Sequence, residues 1–194
     1  MAGEISYVNL TGAQIRVLAH PLRIRLLAQL RAEGPATATG LAEALGTNTG
    51  ATSYHLRQLA DAGLVVEENR PGAGRQRWWR AAHEMSSWHR SNYEGDPDAT
   101  AAVEWLQGFQ VSRFVELAEQ WRHGVPEEPA EWRDTGEISD YLLEMSHDQV
   151  TTLMDEVEQL IERHVCAARA DPQPGARRIA LYLAAIPEAR DRAR

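Results

Sequence analysis

Apolar residues in the first third of the chain recur at helical spacing in consecutive short segments. Thr11, with Gln14 three positions later, is typical of a capping box at the start of a helix. The pattern breaks near His20 and restarts at Pro21, which suits the first turn of a helix because it has no N–H to leave unpaired. The second helix carries a leucine stripe at Leu22, Leu26, Leu27 and Leu30. Residues 11–33 are therefore predicted to form two helices.

Two more helices are predicted before residue 64. Thr37 is a suitable N-cap for a short helix, and Asn48 is a suitable N-cap for a longer one that runs to about residue 62. The longer helix has one buried face, formed by Thr52, Leu56 and Leu59 at spacings of four and three. Its remaining polar side chains are then expected to face outward.

A hairpin is predicted directly after these helices. Residues 64–68 and 75–80 have the alternating pattern of short strands, and the intervening Pro71, Gly72 and Gly74 are typical of a turn. Helix, tight turn, helix and hairpin in this order predict a winged helix-turn-helix domain.

The second half of the chain is organised differently. Residues 92–98 are predicted to be a linker between two regions, residues 1–90 and 91–194. A helix expected at about residues 99–122 is apolar over so much of its surface that it requires partners on two sides. The second region is therefore a candidate for association between subunits.

Two apolar runs in this second region, residues 138–145 and 179–186, flank a helix whose start is marked by Ser146 and Gln149. Strand, helix and strand with short links favour a parallel β-α-β unit. Two strands alone are marginally stable, so other strands or a second subunit are expected to complete the sheet. The predicted fold class is mainly α with small β: a winged helix-turn-helix domain plus a C-terminal α/β dimerisation region.

The charge of the chain is unevenly distributed. The formal net charge is −8, yet residues 1–90 carry ten arginines against seven acidic residues, a balance of +3. Residues 91–194 carry ten arginines against twenty-one acidic residues, a balance of −11, and the chain has no lysine. A polyanion is therefore expected to meet the first region, because the second region repels it.

The outward face of the helix after Asn48 suits contact with DNA. An α-helix fits the major groove, where residues at its amino end meet base edges. The polar side chains on this face, near the amino end, are Thr49, Ser53, Tyr54 and Arg57. The alternative is an ordinary amphipathic surface helix whose polar residues have no particular role.

Arginines also surround the turn of the predicted hairpin. Arg70, Arg75 and Arg77 suit phosphate contact or insertion into the minor groove, where the potential is negative. The alternative is that these charges only protect an edge strand from aggregation.

A family resemblance rests on several motifs in order. They are His-Pro-Leu-Arg-Ile-Arg-Leu-Leu at 20–27, Leu-Ala-Glu-Ala-Leu-Gly at 41–46, Ser-Tyr-His-Leu at 53–56 and Ala-Gly-Leu-Val at 62–65, followed by a wing rich in Gly and Arg. Over residues 10–82 the chain resembles ArsR-type (ArsR/SmtB-like) winged helix-turn-helix transcriptional regulators, here with a long C-terminal extension.

The resemblance implies a homodimer that binds a double-stranded DNA operator of pseudo-twofold symmetry and usually represses transcription. It implies that residues 48–62 are the recognition helix and residues 64–80 the wing. Together with the polar pattern it gives the predicted DNA-binding residues: Asn48, Thr49, Gly50, Ser53, Tyr54, Arg57, Arg70, Arg75 and Arg77. A winged-helix module that binds a protein partner is an alternative function.

Metal sensors of this family often carry a Cys-x-Cys motif on the recognition helix, which this chain lacks. Its only cysteine is Cys166, and the nearby His164 is two residues away, a spacing that does not share a helix face. No metal site and no cofactor are therefore expected. A metal-responsive repressor, with ligands from two subunits, is kept as an alternative.

Aromatic residues of the second region suggest one further role. Trp105, Phe109 and Trp121 are candidates for an apolar pocket that binds a small-molecule effector, and the alternative is that they fill the core and the subunit interface.

Enzyme and membrane functions are not expected. The chain has no nucleophile elbow, zinc-protease motif or phosphate-binding loop. Its longest apolar run, residues 179–186, has eight residues against the roughly 18 that span a bilayer, and no secretory signal opens the chain. With a single cysteine, this predicts a cytoplasmic protein without a membrane partner.

Overall fold

The first helices begin where the sequence places their caps. The structure is a computed structural model that describes residues 5–70, 76–136 and 138–188. Helix α1, Gly12–Leu18, starts at the capping box of Thr11, whose Oγ1 accepts from the Gln14 N–H at 3.3 Å. Helix α2, Pro21–Glu33, is capped by the His20 imidazole, whose Nδ1 accepts from the Leu22 N–H at 3.1 Å. The predicted break at His20 is confirmed.

Two further caps define the helix-turn-helix. Thr37 Oγ1 accepts from the Gly40 N–H at 3.1 Å and opens helix α3, Ala38–Ala44. Asn48 Oδ1 accepts from the Ala51 N–H at 2.8 Å and opens helix α4, Thr49–Asp61. The turn between them includes Gly46 at a φ of +62°, a conformation that favours glycine.

The wing is a small antiparallel sheet. Strands β3, Val65–Glu68, and β4, Trp78–Ala81, pair with Glu68 opposite Trp78, which confirms the predicted hairpin. The other edge of β4 pairs with β2, Ala36–Thr37, a strand that the sequence pattern does not predict. The predicted turn residues Pro71, Gly72 and Gly74 lie outside the described residues.

Strands β1, Tyr7–Asn9, and β5, Met85–Ser87, form a second, parallel pair that the sequence analysis also misses. Both have only three residues, too few for an alternating pattern to be recognised. The half-buried Arg31 side chain supports β5, because its Nε donates to the His83 carbonyl and its Nη2 to the Ser86 hydroxyl.

The chain divides into two compact units, Ile5–Arg113 and a second unit that begins at Phe114. The core of the first unit is aliphatic, and its fully buried large side chains include Ile15, Leu26, Leu27, Leu41, Leu56, Leu59, Leu64, Val65, Val103 and Leu106. Val103 and Leu106 lie on helix α5, Pro97–Gly124, so this unit extends past the boundary expected at residue 90.

Residues 92–98 do not form the expected linker. A 3-10 helix, Arg90–Tyr93, places Tyr93 in the core, where its hydroxyl donates to the Leu10 carbonyl at 2.7 Å. Asp96 Oδ1 then accepts from the Ala99 N–H at 3.0 Å at the start of α5. Gly95 and Pro97 mark a turn between packed elements, and a turn has the same composition as a linker.

The second unit is helical. It contains the end of α5, a 3-10 turn at Val125–Glu127, helix α6, Ala130–Arg133, and helix α7, His147–Ala170. The predicted capping box of Ser146 and Gln149 at the start of α7 is confirmed.

The two predicted strands of this unit are not formed. Residues 138–145 and 179–186 have no regular secondary structure, and every regular element described after residue 97 is a helix. The predicted β-α-β unit and C-terminal α/β region are therefore wrong for this chain by itself. Apolar sequence favours a strand, but a strand forms only where another strand pairs with its peptide groups. Across the described ranges, no helix combines the length and the apolar character needed to cross a bilayer.

Candidate nucleic-acid interface

Helix α4 separates its buried and exposed faces as the sequence predicts. Thr52, Leu56 and Leu59 have no exposed surface, and they anchor the helix in the core. On the other side Tyr54 is 55% exposed, and Asn48, Thr49, Gly50 and Arg57 are also exposed. The polar face is therefore open to solvent, as a recognition helix requires.

An open depression of about 510 Å³ brings three elements of the first unit together. Its lining residues come from the start of α3, from α4 and from the wing: Thr37, Ala38, Thr39, Thr49, Ser53, Arg57, Gln76, Arg77 and Trp79. Four predicted DNA-binding residues, Thr49, Ser53, Arg57 and Arg77, are thus neighbours. Thr37, Thr39 and Gln76 are additions that the sequence analysis misses, since only the tertiary fold brings them beside α4.

Asn48 and Gly50 shape the amino end of α4. The Asn48 side chain is engaged as the helix cap, and Gly50 lies so close that a Cβ there would be 3.3 Å from Asn48 Oδ1. The unpaired N–H groups at this end carry partial positive charge, which favours an approaching phosphate. Asn48 and Gly50 therefore contribute through the backbone geometry and the partial positive charge of this end of the helix.

Arg57 is the exposed cation of the α4 face. Its Nε donates to the Ser53 carbonyl at 3.1 Å, so the side chain lies back along the helix toward the amino end. In the described part of the chain it has no ion pair with an acidic residue. Its guanidinium is available to an anion.

The wing arginines are paired with acidic residues of β3. Arg70 Nε lies 2.8 Å from Glu68 Oε1, with its guanidinium 4.4 Å above the Trp78 ring, and Arg77 Nε lies 3.5 Å from Glu67 Oε1. Exposed pairs of this kind contribute about 0–1 kcal/mol, so a phosphate can replace the carboxylate. The predicted Arg75 lies outside the described residues.

A cluster of His20, Arg23 and His55 lies beneath the exposed Tyr54. The two imidazole rings are 4.4 Å apart, and Tyr54 meets His55 edge-on at 5.1 Å. Burial lowers the pKa of both histidines. Arg23 lowers the pKa of His20 further, and His20 and Arg23 lower the pKa of His55 further, so the neutral form of each ring is favoured. Both histidines stand in the quoted family motifs, but sequence alone does not predict that they meet.

Comparison with known proteins agrees with this geometry. Residues 18–68 match a family of helix-turn-helix domains. The HTH-type transcriptional regulator NmtR of Mycobacterium tuberculosis is 48% identical over 52 residues, which are 27% of this chain and 42% of that protein. Residues 18–68 are therefore a helix-turn-helix domain, similar to those of ArsR-family regulators. The chain spans less than half the length of the relative that it matches.

Two solved structures are also similar to this chain. One is the homodimeric winged helix-turn-helix DNA-binding domain of Mb0332 from Mycobacterium bovis, a possible ArsR-family regulator. It is 30% identical with a TM-score of 0.33, covering 37% of this chain and 64% of that one. The other is a possible transcriptional regulator for arsenical resistance. It is 32% identical with a TM-score of 0.31, covering 53% of this chain and 93% of that one.

The residues predicted for an effector pocket are not brought together. Trp105 stacks on Phe109 with ring centroids 5.5 Å apart. Trp121 instead lines an open depression of about 450 Å³ in the second unit, whose described lining includes neither Trp105 nor Phe109. The Trp121 Nε1–H donates to the Gly136 carbonyl at 2.8 Å, and Phe114 and Trp132 add apolar walls.

The described residues contain no group of three His, Cys, Asp or Glu side chains arranged to hold a metal ion. His164 is exposed and Cys166 is half-buried, both on α7.

Proposed function

We propose that this chain is a sequence-specific, DNA-binding transcriptional regulator of the ArsR family that acts as a homodimer and represses its target genes. The observation that carries the proposal is the depression in which Thr49, Ser53 and Arg57 of α4 lie beside Arg77 of the wing. Hydroxyl and guanidinium groups on an exposed helix, next to an arginine-bearing hairpin, suit a DNA groove and its phosphates.

In this proposal α4 enters the major groove amino end first. Thr49, Ser53 and Tyr54 read base edges, while Asn48 and Gly50 hold the end of the helix in the conformation that approaches the duplex. Arg57, Arg70, Arg75 and Arg77 contact phosphates, and Glu67 and Glu68 release their arginines when DNA arrives.

A homodimer is proposed because the DNA-contacting surface of one chain is small. One recognition helix reads only a few base pairs, and two copies related by a twofold axis read half-sites about 34 Å apart on the same face of the duplex. We assign dimerisation to residues 91–194. This region is strongly acidic, so it repels DNA and is directed away from the duplex.

A small apolar effector is a second element of the proposal. The depression beside Trp121 has a volume of about 450 Å³, within the roughly 300–1,000 Å³ typical of ligand pockets. Its tryptophan N–H is already hydrogen-bonded and Glu128 is paired with Arg177, so the free wall is largely apolar. No enzymatic activity is part of this proposal.

The test is fluorescence anisotropy of labelled DNA from upstream of the protein's own gene, measured over a range of salt. Arg57→Ala and Arg77→Ala should each weaken binding and flatten the salt dependence by about one unit per lost phosphate contact. Arg90→Ala is the matched control, an exposed arginine of the same unit paired with Glu104. If the first two variants bind like the control, the assigned surface is wrong.

A further inference from the structure

Two segments of the second unit that have no regular secondary structure expose large apolar side chains. Their large side chains are between 40% and 85% exposed: Ile138, Tyr141, Leu142, Leu143 and Met145 in residues 138–145, and Ile179, Leu181, Tyr182, Leu183 and Ile186 in residues 179–186. Ile138, Ile179 and Tyr182 line the same depression, so the two segments start side by side. We call these two segments together the paired apolar segments.

The backbone of these segments is also unpartnered. Neither residues 138–145 nor residues 179–186 make a backbone–backbone hydrogen bond to any other described residue. Peptide groups in apolar sequence need partners, and an exposed segment whose peptide groups are unpaired can pair with another chain. The missing partner is therefore expected to supply both apolar cover and backbone hydrogen bonds.

The exposed area is that of one half of a protein interface. Burying a large aliphatic side chain gains about 1.5–3 kcal/mol at roughly 25 cal/mol per Å², which corresponds to about 60–120 Å². The ten side chains therefore present on the order of 600 Å². A standard interface buries about 800 Å² on each partner. A lone ligand in the depression covers only a few of these side chains.

The charges of the paired apolar segments indicate what covers them. The segment at 138–145 carries Asp140 and Glu144 and no cation. Arg177 and Arg178 directly precede the segment at 179–186, and Arg177 is paired with Glu128 of the same chain at 2.6 Å, a partly exposed pair in which another carboxylate can replace Glu128. Like segments of two copies repel each other, but the acidic segment of one copy suits the basic end of the other. Such a surface is self-complementary under a twofold axis, as a homodimer requires.

We propose that the paired apolar segments are the surface on which a second copy of this chain docks, each copy placing residues 138–145 against residues 179–186 of the other. This rests on the homodimer of the proposed function and names the surface that forms it. The docked segments supply one another with apolar cover and backbone partners.

Leu142→Glu and Ile186→Glu test this surface in the full-length protein. Leu142 is 85% and Ile186 81% exposed in the single chain, so a carboxylate there leaves the fold of one chain undisturbed. Buried at an interface, the same carboxylate should weaken the dimer at least about 100-fold in sedimentation equilibrium. Ala44→Glu, an exposed alanine on α3, is the control and should remain dimeric.

Hydrogen exchange of the wild-type protein gives a second, independent measurement. The amides of residues 138–145 and 179–186 should be protected at concentrations where the protein is dimeric and should exchange rapidly on dilution. A monomeric wild type, dimeric Glu variants, or amides equally exposed at all concentrations would each overturn the proposal. If the Glu variants remain dimeric and still need Arg57 for DNA binding, the dimer interface lies elsewhere and the proposed regulator function stands.

Discussion

Asn48 allows the stability of the recognition helix and its approach to DNA to be tested separately. Asn48→Ala removes the oxygen that accepts from the Ala51 N–H at 2.8 Å. Loss of an N-cap costs about 1 kcal/mol, and for a unit of this size that lowers Tm by roughly 3–6 °C. Asn48→Asp keeps the acceptor and adds a negative charge where the helix dipole favours it, worth about 0.3–1 kcal/mol. In thermal unfolding, the Tm of Asn48→Asp should therefore equal or exceed that of the wild type.

DNA binding should give the opposite result for the Asp variant. With a phosphate about 6 Å away and an effective dielectric constant of about 40, Coulomb's law gives about 1.4 kcal/mol of repulsion, which is roughly tenfold in Kd. Anisotropy titrations at low and high salt should show this loss, and it should shrink as salt increases. Asn48→Ala should lose affinity only to the extent that the helix end frays.

Thr11→Asp is the matched control, because Thr11 caps α1 in the same unit and is absent from the lining of the depression between α3, α4 and the wing. It should keep both stability and affinity. If Asn48→Asp destabilises the protein as much as Asn48→Ala, the cap is not formed in solution. If Asn48→Asp is stable and binds DNA like wild type, the amino end of α4 does not approach the duplex and the proposed docking is refuted.

The remaining predictions concern the wing and the histidine cluster. Glu68→Gln releases Arg70 and removes a negative charge from the wing, so it should tighten DNA binding by several-fold at low salt; unchanged affinity would show that the wing does not reach phosphate. His20 and His55 have lowered pKa values, so the unfolded chain binds more protons as pH falls below about 6.5. Urea unfolding at pH 7.5 and 5.5 should show lower stability at the acidic pH, and His55→Gln should reduce the difference; an equal difference in the variant would exclude His55 as a source.

The helical part of the first unit follows closely from local sequence. The caps at Thr11, His20, Thr37 and Asn48 are short-range interactions, because each side chain bonds a backbone N–H two or three residues later. The hairpin follows for a similar reason, since its turn composition and its alternating residues lie within one short stretch. The predicted outward face of α4 depends only on periodicity, and it is confirmed.

The sequence does not predict contacts between residues that lie far apart along the chain. Two-residue β2 exists only because β4 offers an edge. The ion pairs of Glu67 with Arg77 and of Glu68 with Arg80 depend on the register of β3 and β4. The same holds for Thr37 and Gln76 in the depression between α3, α4 and the wing. Residue types alone therefore predict a more basic wing than the described part of the hairpin presents, because Glu67 and Glu68 pair with its arginines.

The strands predicted at 138–145 and 179–186 and the surface proposed for a second copy have one physical origin. Local pattern measures how well a segment suits a sheet, but a sheet also needs a neighbour for each peptide group. In a single chain these segments keep the apolar composition of strands without the hydrogen bonds, and their side chains remain in water. Docking a second copy pairs these peptide groups and buries these apolar side chains at the same time. The free energy gained in this way drives dimerisation. Residues 138–145 and 179–186 should therefore become ordered when the partner binds, and the stability of the second unit should rise with protein concentration.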